Sequence, residues 1–313
     1  MSSPIARRAG ALLLALAAVT SLLTLTPPAA AGPADGGSTL RLDPQVLQAD
    51  GIRTAYAIIG PDSPVPLLLL NGTGSPMSQW DPALLSALSR TRRVIVYDYP
   101  GLGASGPMTG RLTLDRLATH AAELVEQLGY EQADVLGWSM GGFVSQRLAV
   151  RFPERVHALI LAGTNPGGPR TVLGPTWVQE VDSDADATAR GYVVTNYPPG
   201  RRDRGWAFIH RVNAAINEGR FPPDRVPAAT YDAMVAAEDM WLASRANLSA
   251  LQSLSMPVFV ITGTQDVVTP PANSRTIAAA IPGARLRLIS RAGHSFLFQV
   301  PRRIASTIDA FLS

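Results

Sequence analysis

Gly137-Trp138-Ser139-Met140-Gly141-Gly142 joins a strand-like run, Ala133-Asp134-Val135-Leu136, to a helix-like stretch from Gly142 to Phe152. A chain that turns this sharply from strand to helix strains the residue at the tip and brings its own backbone into close approach. Gly137 and Gly141 therefore stand where a Cβ would clash. Ser139 is left exposed at the apex, the placement that a nucleophilic serine at the end of a buried strand requires. A lone Gly-x-Ser-x-Gly is also an ordinary turn, so the surrounding pattern has to decide between the two.

That pattern alternates. Short apolar runs over 51–59, 66–70, 93–97, 133–136, 156–161, 257–262 and 286–289 are mostly flanked by turn residues, as strands covered on both faces should be. Helical periodicity lies between them. Leu114, Leu117, Ala118, Ala121, Leu124, Val125 and Leu128 recur on one face, with Thr113 placed to cap the start and Gly129 to end the helix. Strand and helix in alternation predict an α/β fold, a mostly parallel central sheet with helices on both faces. The rhythm breaks over residues 166–250. That stretch has Pro198-Pro199 and Pro222-Pro223 as joints, a helical piece over 231–245 and no convincing strand, and reads as a helical insertion between core segments 32–165 and 251–313.

The N-terminus reads as a secretory signal peptide over residues 1–31. Arg7 and Arg8 open it, residues 11–25 form its apolar run, and Ala29-Ala30-Ala31 supplies small residues for cleavage. The run is short for a membrane span and Pro27-Pro28 follows it, so the mature chain is expected to be exported, with no stable membrane span. There is no cysteine, which excludes disulfides, a thiol nucleophile and an acylated cysteine. The full chain carries 27 basic and 24 acidic residues, and every basic one is arginine; losing Arg7 and Arg8 leaves 25 against 24. A nearly neutral surface without a basic stripe points away from nucleic acid. Arg201-Arg202-Asp203-Arg204, the densest charge cluster, reads as a solvated loop.

A serine nucleophile needs a base, and the base an orienting acid. Four histidines are present: His120 on the Leu114 helix, His157 at a strand start, His210 in the insertion, and His294 in the loop Arg291-Ala292-Gly293-His294 after the last strand. Open α/β sheets place their sites in loops at the carboxyl ends of strands, which selects His294. The same rule selects Asp266, in Gly263-Thr264-Gln265-Asp266 after the strand 257–262. Trp138 and Met140 flank Ser139 and are candidates for a substrate pocket. Trp206 and Trp241, with Trp177, Tyr192, Tyr197, Phe208 and Tyr231 in the insertion, either line an apolar pocket or glue its helices to the core.

With Ser139, Asp266 and His294 in that order, the chain resembles the α/β-hydrolase superfamily over nearly all of its mature length. Leu70-Asn71-Gly72-Thr73-Gly74 resembles the family's loop after the third strand, and Asp98-Tyr99-Pro100-Gly101-Leu102-Gly103-Ala104-Ser105 its Asp-x-x-Gly-x-Gly-x-Ser turn. The resemblance implies that the N–H groups of Thr73 and Met140 form an oxyanion hole and that residues 166–250 are a helical cap. It also implies hydrolysis of a carboxylic ester through an acyl-enzyme on Ser139, and the aromatic residues of the insertion make a small-molecule ester with an apolar acyl or alcohol part the expected substrate. The family often has His-Gly where this chain has Asn71-Gly72, so the polar anchoring of that loop is expected to differ. A serine at the turn argues against the haloalkane and epoxide chemistries that use aspartate there. No cofactor and no metal ligand set is implied. Carbon–carbon bond hydrolysis, amide or peptide hydrolysis and perhydrolysis stay open within the family, and a non-catalytic secreted ligand-binding protein outside it.

Overall fold

A computed structural model describes residues 39–182 and 189–313. The expected signal peptide, residues 1–31, lies outside the described residues, as does 183–188 of the insertion. Among the described residues eight strands, β1 (Gln45–Ala49), β2 (Ile52–Ile59), β3 (Leu67–Leu70), β4 (Val94–Tyr97), β5 (Ala133–Trp138), β6 (Val156–Ala162), β7 (Val258–Gly263) and β8 (Arg285–Ile289), form one sheet in the order β1-β2-β4-β3-β5-β6-β7-β8. From β4 to β8 every pairing is parallel; β1–β2 and β2–β4 are antiparallel. The helices are α1 (Pro82–Leu88), α2 (Leu114–Gln127), α3 (Met140–Arg151), α4 (Thr176–Asp182), α5 (Ala189–Asn196), α6 (Arg202–Asn217), α7 (Ala228–Ala243), α8 (Asn247–Ala250), α9 (Pro271–Ala280), α10 (Phe296–Gln299) and α11 (Pro301–Leu312).

The side-chain alternation of β3 shows how the sheet is buried. Leu67 and Leu69 enter one apolar layer with α1 and α11, whereas Leu68 and Leu70 enter the opposite layer with α2 and α3. All four are completely buried, so the strand reads as an unbroken leucine run rather than an alternating one. Helix α2 begins where its sequence predicts: Thr113 accepts a hydrogen bond from Arg116 N–H at 3.2 Å, and Gly129 adopts a φ of 83° just beyond the end.

Three differences from the sequence reading have local causes. Strand β1 is unanticipated; Asp50 (φ 50°) and Gly51 (φ 68°) close a two-residue hairpin to β2, the left-handed turn that Asp-Gly favours. Strand β8 is an edge strand with Arg285, Leu286 and Arg287 exposed, so it is not covered on both faces. Strand β5 runs through Trp138 and α3 starts at Met140, so Ser139 alone joins them.

Between β6 and β7 the described residues are helical, with no strand. Arg211 of α6 ties this insertion to the core. Its guanidinium donates to both carboxylate oxygens of the buried Asp81, at 3.0 and 2.6 Å, and Asp81 also caps α1 by accepting from Ala83 N–H.

Candidate active site

Ser139 has φ 57° and ψ −122°, a strained conformation for any residue with a Cβ, and the surroundings hold it there. A Cβ at Gly137 would strike Ser145 Oγ and the Gly141 carbonyl; one at Gly141 would strike the Leu70 carbonyl. The Ser139 N–H donates to the Ala162 carbonyl at 3.0 Å, and Thr164 Oγ1 donates to the Ser139 carbonyl at 3.0 Å. The turn is thus clamped between β3 and β6. Met140 opens α3, so its N–H is among those a helix leaves without an intrahelical acceptor.

Three further loops at the carboxyl ends of strands meet this turn. Asp266, after β7, is held on both oxygens: Oδ1 accepts from the N–H of Val268 (2.9 Å) and Thr269 (2.8 Å), and Oδ2 from the hydroxyls of Thr269 (2.9 Å) and Thr262 (3.2 Å). Oδ2 also pairs with His294 Nδ1 at 2.9 Å. A carboxylate only accepts, so this contact places the histidine proton on Nδ1 and leaves a lone pair on Nε2. His294 Nε2 is buried and has no hydrogen-bond partner among the described residues. Ser139, expected to stand exposed at the apex, is only 2% exposed because the surrounding loops cover it; His294 is likewise 2% exposed, and no hydrogen bond joins the two. Such a bond commonly tightens only when substrate is bound.

The loop after β3 supplies the remaining wall. A Cβ at Gly72 would lie 3.5 Å from Ser139 Cβ. Asn71 organises the loop from within: its Oδ1 accepts the Gly72 N–H at 2.9 Å, its Nδ2 donates to the Pro76 carbonyl at 3.2 Å, and its carbonyl accepts the Tyr99 hydroxyl at 3.2 Å. Gly74 N–H meets Met234 Sδ at 3.4 Å, and Ser75 N–H donates to the Gly72 carbonyl at 3.2 Å. Of the four N–H groups from Gly72 to Ser75, only that of Thr73 has no acceptor among the described residues.

The alpha/beta hydrolase family model matches residues 67–307, more than half of the chain. The chain belongs to that family. This alpha/beta hydrolase is 30% identical to a poly(3-hydroxyalkanoate) depolymerase of Ectopseudomonas oleovorans, over 85% of this chain and 90% of that protein. It is also 30% identical to the 2-hydroxymuconate semialdehyde hydrolase of Pseudomonas sp. strain CF600, over 85% of this chain and 92% of that one. Similarity to the polyketide synthase ThaQ of Burkholderia thailandensis, 31% identical, spans only 11% of that much longer protein. Among solved structures, an alpha/beta hydrolase fold protein from Chitinophaga pinensis superposes with a TM-score of 0.78 at 25% identity, covering 88% of this chain and 98% of that one.

In this alpha/beta hydrolase two of the three tryptophans named as pocket candidates, Trp138 and Trp241, are buried in packing contacts, and the third, Trp206, is exposed. Trp138 is buried beneath the histidine: its Nε1 donates to the His294 carbonyl at 3.1 Å, and the two ring centroids are 5.2 Å apart. Trp241 donates to Asn165 Oδ1 at 2.9 Å and stacks on Phe143 at 5.5 Å. It borders a cavity of about 320 Å³ with Thr113, Asp115 and Arg147, and no residue of the Ser139 cluster lines that cavity. Trp206 is 40% exposed on α6. The other histidines also find structural places. His120 is buried against Thr54 Oγ1 at 2.8 Å, with burial pushing its pKa down to about 4; His157 Nδ1 pairs with Asp134 at 2.8 Å; His210 is exposed. The Asp98 turn is a structural knot, its carboxylate accepting the N–H groups of Met77 (2.8 Å) and Ala104 (2.9 Å) while burial raises its pKa to about 6.

Two features of the site are absent from the sequence reading. Ser295, next to His294, is bound by the insertion: the Tyr192 hydroxyl lies 2.6 Å from its Oγ, and Asn196 accepts both its N–H (3.2 Å) and its hydroxyl (3.1 Å). Glu238 of α7 is buried and its Oε1 accepts the Thr73 hydroxyl. The signal for Glu238 was available, because it falls at helical spacing on the apolar stripe Tyr231, Met234, Ala237, Trp241.

Proposed function

We propose that this chain hydrolyses a carboxylic ester through an acyl-enzyme on Ser139. The observation that carries this reading is the His294 imidazole, oriented by an Asp266 carboxylate with both oxygens engaged, held against Trp138 next to the strained Ser139 at the head of α3, and left with a buried, unpartnered Nε2. His294 Nε2 takes the Ser139 hydroxyl proton as Oγ attacks the ester carbonyl, and the N–H groups of Thr73 and Met140 receive the oxyanion. Collapse expels the alcohol, which takes its proton from His294. Water, deprotonated by the same nitrogen, then attacks the acyl-enzyme; the acid leaves and Ser139 recovers its proton. Each oxyanion donor contributes about 3 kcal/mol to the barrier reduction.

Similarity to a polyester depolymerase supports an ester substrate; equal similarity to a semialdehyde hydrolase supports carbon–carbon cleavage as the second reading. The deciding experiment is mass spectrometry of the fluorophosphonate-treated protein together with turnover of p-nitrophenyl esters, anilides and a vinylogous diketone acid. An adduct on Ser139 with ester turnover supports the proposal. An adduct with turnover of the diketone alone supports the second reading, and the lack of any adduct points to a ligand-binding protein.

A further inference from the structure

We propose that Glu238 is a positioning residue for the Thr73 oxyanion donor, holding the loop through the Thr73 hydroxyl. The inference rests on the reading of Thr73 as that donor. Three residues of one stripe of α7 touch the loop in succession. The Tyr231 ring packs where a Cβ on Gly74 (φ 61°) would sit, Met234 Sδ receives the Gly74 N–H, and Glu238 receives the Thr73 hydroxyl. On the opposite side Asn71 and Tyr99 hold the loop from the core. The peptide carrying the unpartnered Thr73 N–H is therefore fixed from below by the sheet and from above by the insertion, and Glu238 makes the polar contact from above.

A carboxyl is a costly choice for this position. Glu238 is 5% exposed, and the charge acting on it is that of Asp239, of the same sign. An apolar side chain would pack there without the desolvation penalty. Burial pushes the Glu238 carboxyl up to about 8, so near neutral pH it is an uncharged acid. In that form it keeps an acceptor oxygen for Thr73 yet brings no negative charge toward a developing oxyanion, a combination that an ionised carboxylate lacks.

The test uses the full chain with Glu238→Leu, Glu238→Gln, Thr73→Val and the double variant Thr73→Val/Glu238→Leu. It reads kcat and KM on p-nitrophenyl butyrate, the rate of phosphonylation by a fluorophosphonate, and Tm. Glu238→Leu is expected to lower kcat and the phosphonylation rate together by about tenfold, with KM within about twofold, because the oxyanion donor is misplaced rather than removed. Glu238→Gln, which keeps an acceptor for the hydroxyl, recovers most of that loss. Thr73→Val matches the leucine variant, and the double variant is no worse than either single one, since both break the same bond. Wild-type kcat in folded Glu238→Leu, equal losses in the leucine and glutamine variants, or multiplying losses in the double variant overturn the inference. If Glu238→Leu does not fold, Thr73→Val, which leaves α7 intact, decides by the same tenfold criterion. Failure of wild-type protein to form a Ser139 adduct overturns the esterase reading and this inference with it; an adduct formed equally fast in Thr73→Val overturns the inference alone.

Discussion

At the scale of single residues, the site separates chemistry from folding. The Ser139 hydroxyl makes no hydrogen bond that the turn depends on; its strain is imposed by Gly137, Gly141 and Thr164. Ser139→Ala is therefore expected to keep the wild-type Tm and lose activity by a factor on the order of 10⁴ or more. Retention of more than a few per cent of kcat would move the nucleophile elsewhere. Asp266 differs in that its oxygens accept from two backbone N–H groups and two hydroxyls besides His294. In Asp266→Asn the amide can donate to Nδ1 and select the wrong tautomer, which costs about 10⁴ in kcat. Because the amide also faces donors that the carboxylate satisfied, Tm should fall as well, by several degrees. An active variant would reassign the orienting acid, and an inactive one with unchanged Tm would contradict the bonding around it.

At the scale of elements, the insertion is fastened to the core by a few buried polar contacts, and these set its predicted sensitivities. Arg211→Ala on α6 leaves Asp81, fully buried at the start of α1, without its guanidinium. The expected loss is about 3 kcal/mol of stability, read by denaturant unfolding. A loss below about 1 kcal/mol would mean that water replaces the arginine at little cost. Trp241 and Trp206 make a matched pair for the insertion. Trp241→Ala removes a buried ring and its bond to Asn165 and should cost about 3–5 kcal/mol, whereas Trp206→Ala, at an exposed position, should leave Tm nearly unchanged. Their sequence setting could not separate these cases, because aromatic residues at helical spacing serve pockets and packing alike. The strands were legible for the opposite reason: a run such as Leu67–Leu70 has few fates other than a strand buried on both faces. Asp266 and His294 were legible through their positions after strands. Glu238 was legible only through its place on the apolar stripe of α7, because by residue type alone a glutamate in a helix reads as solvated until packing shows which face is covered.

At the scale of the whole molecule, two properties depend on the chain as a unit. We propose that it is exported, on the signal-like pattern of residues 1–31; protein recovered outside an expressing bacterium should begin near residue 32, and an intact N-terminus in the membrane fraction would instead mean an anchor. The second property is the pH dependence of stability, whose sign follows from three buried groups. His120, lowered from 6.5 to about 4, contributes stability that is present above 6.5 and lost as pH falls toward 4. Asp98, raised from 3.8 to about 6, and Glu238, raised from 4.5 to about 8, act oppositely: their contributions are present below the ordinary carboxylate range and lost as pH rises through the folded values. Below 6.5 the histidine and the carboxyls partly offset one another. Between 6.5 and 8 His120 is neutral and Asp98 is ionised in both the folded and the unfolded chain, so Glu238, still protonated in the folded chain over much of that range, dominates. Thermal unfolding should therefore show Tm falling from pH 6.5 to pH 8 in the wild-type chain and staying nearly level in Glu238→Gln, whose amide does not titrate. Parallel curves for the two proteins would show that Glu238 is ionised in the folded state at neutral pH, and would place a negative charge beside Thr73.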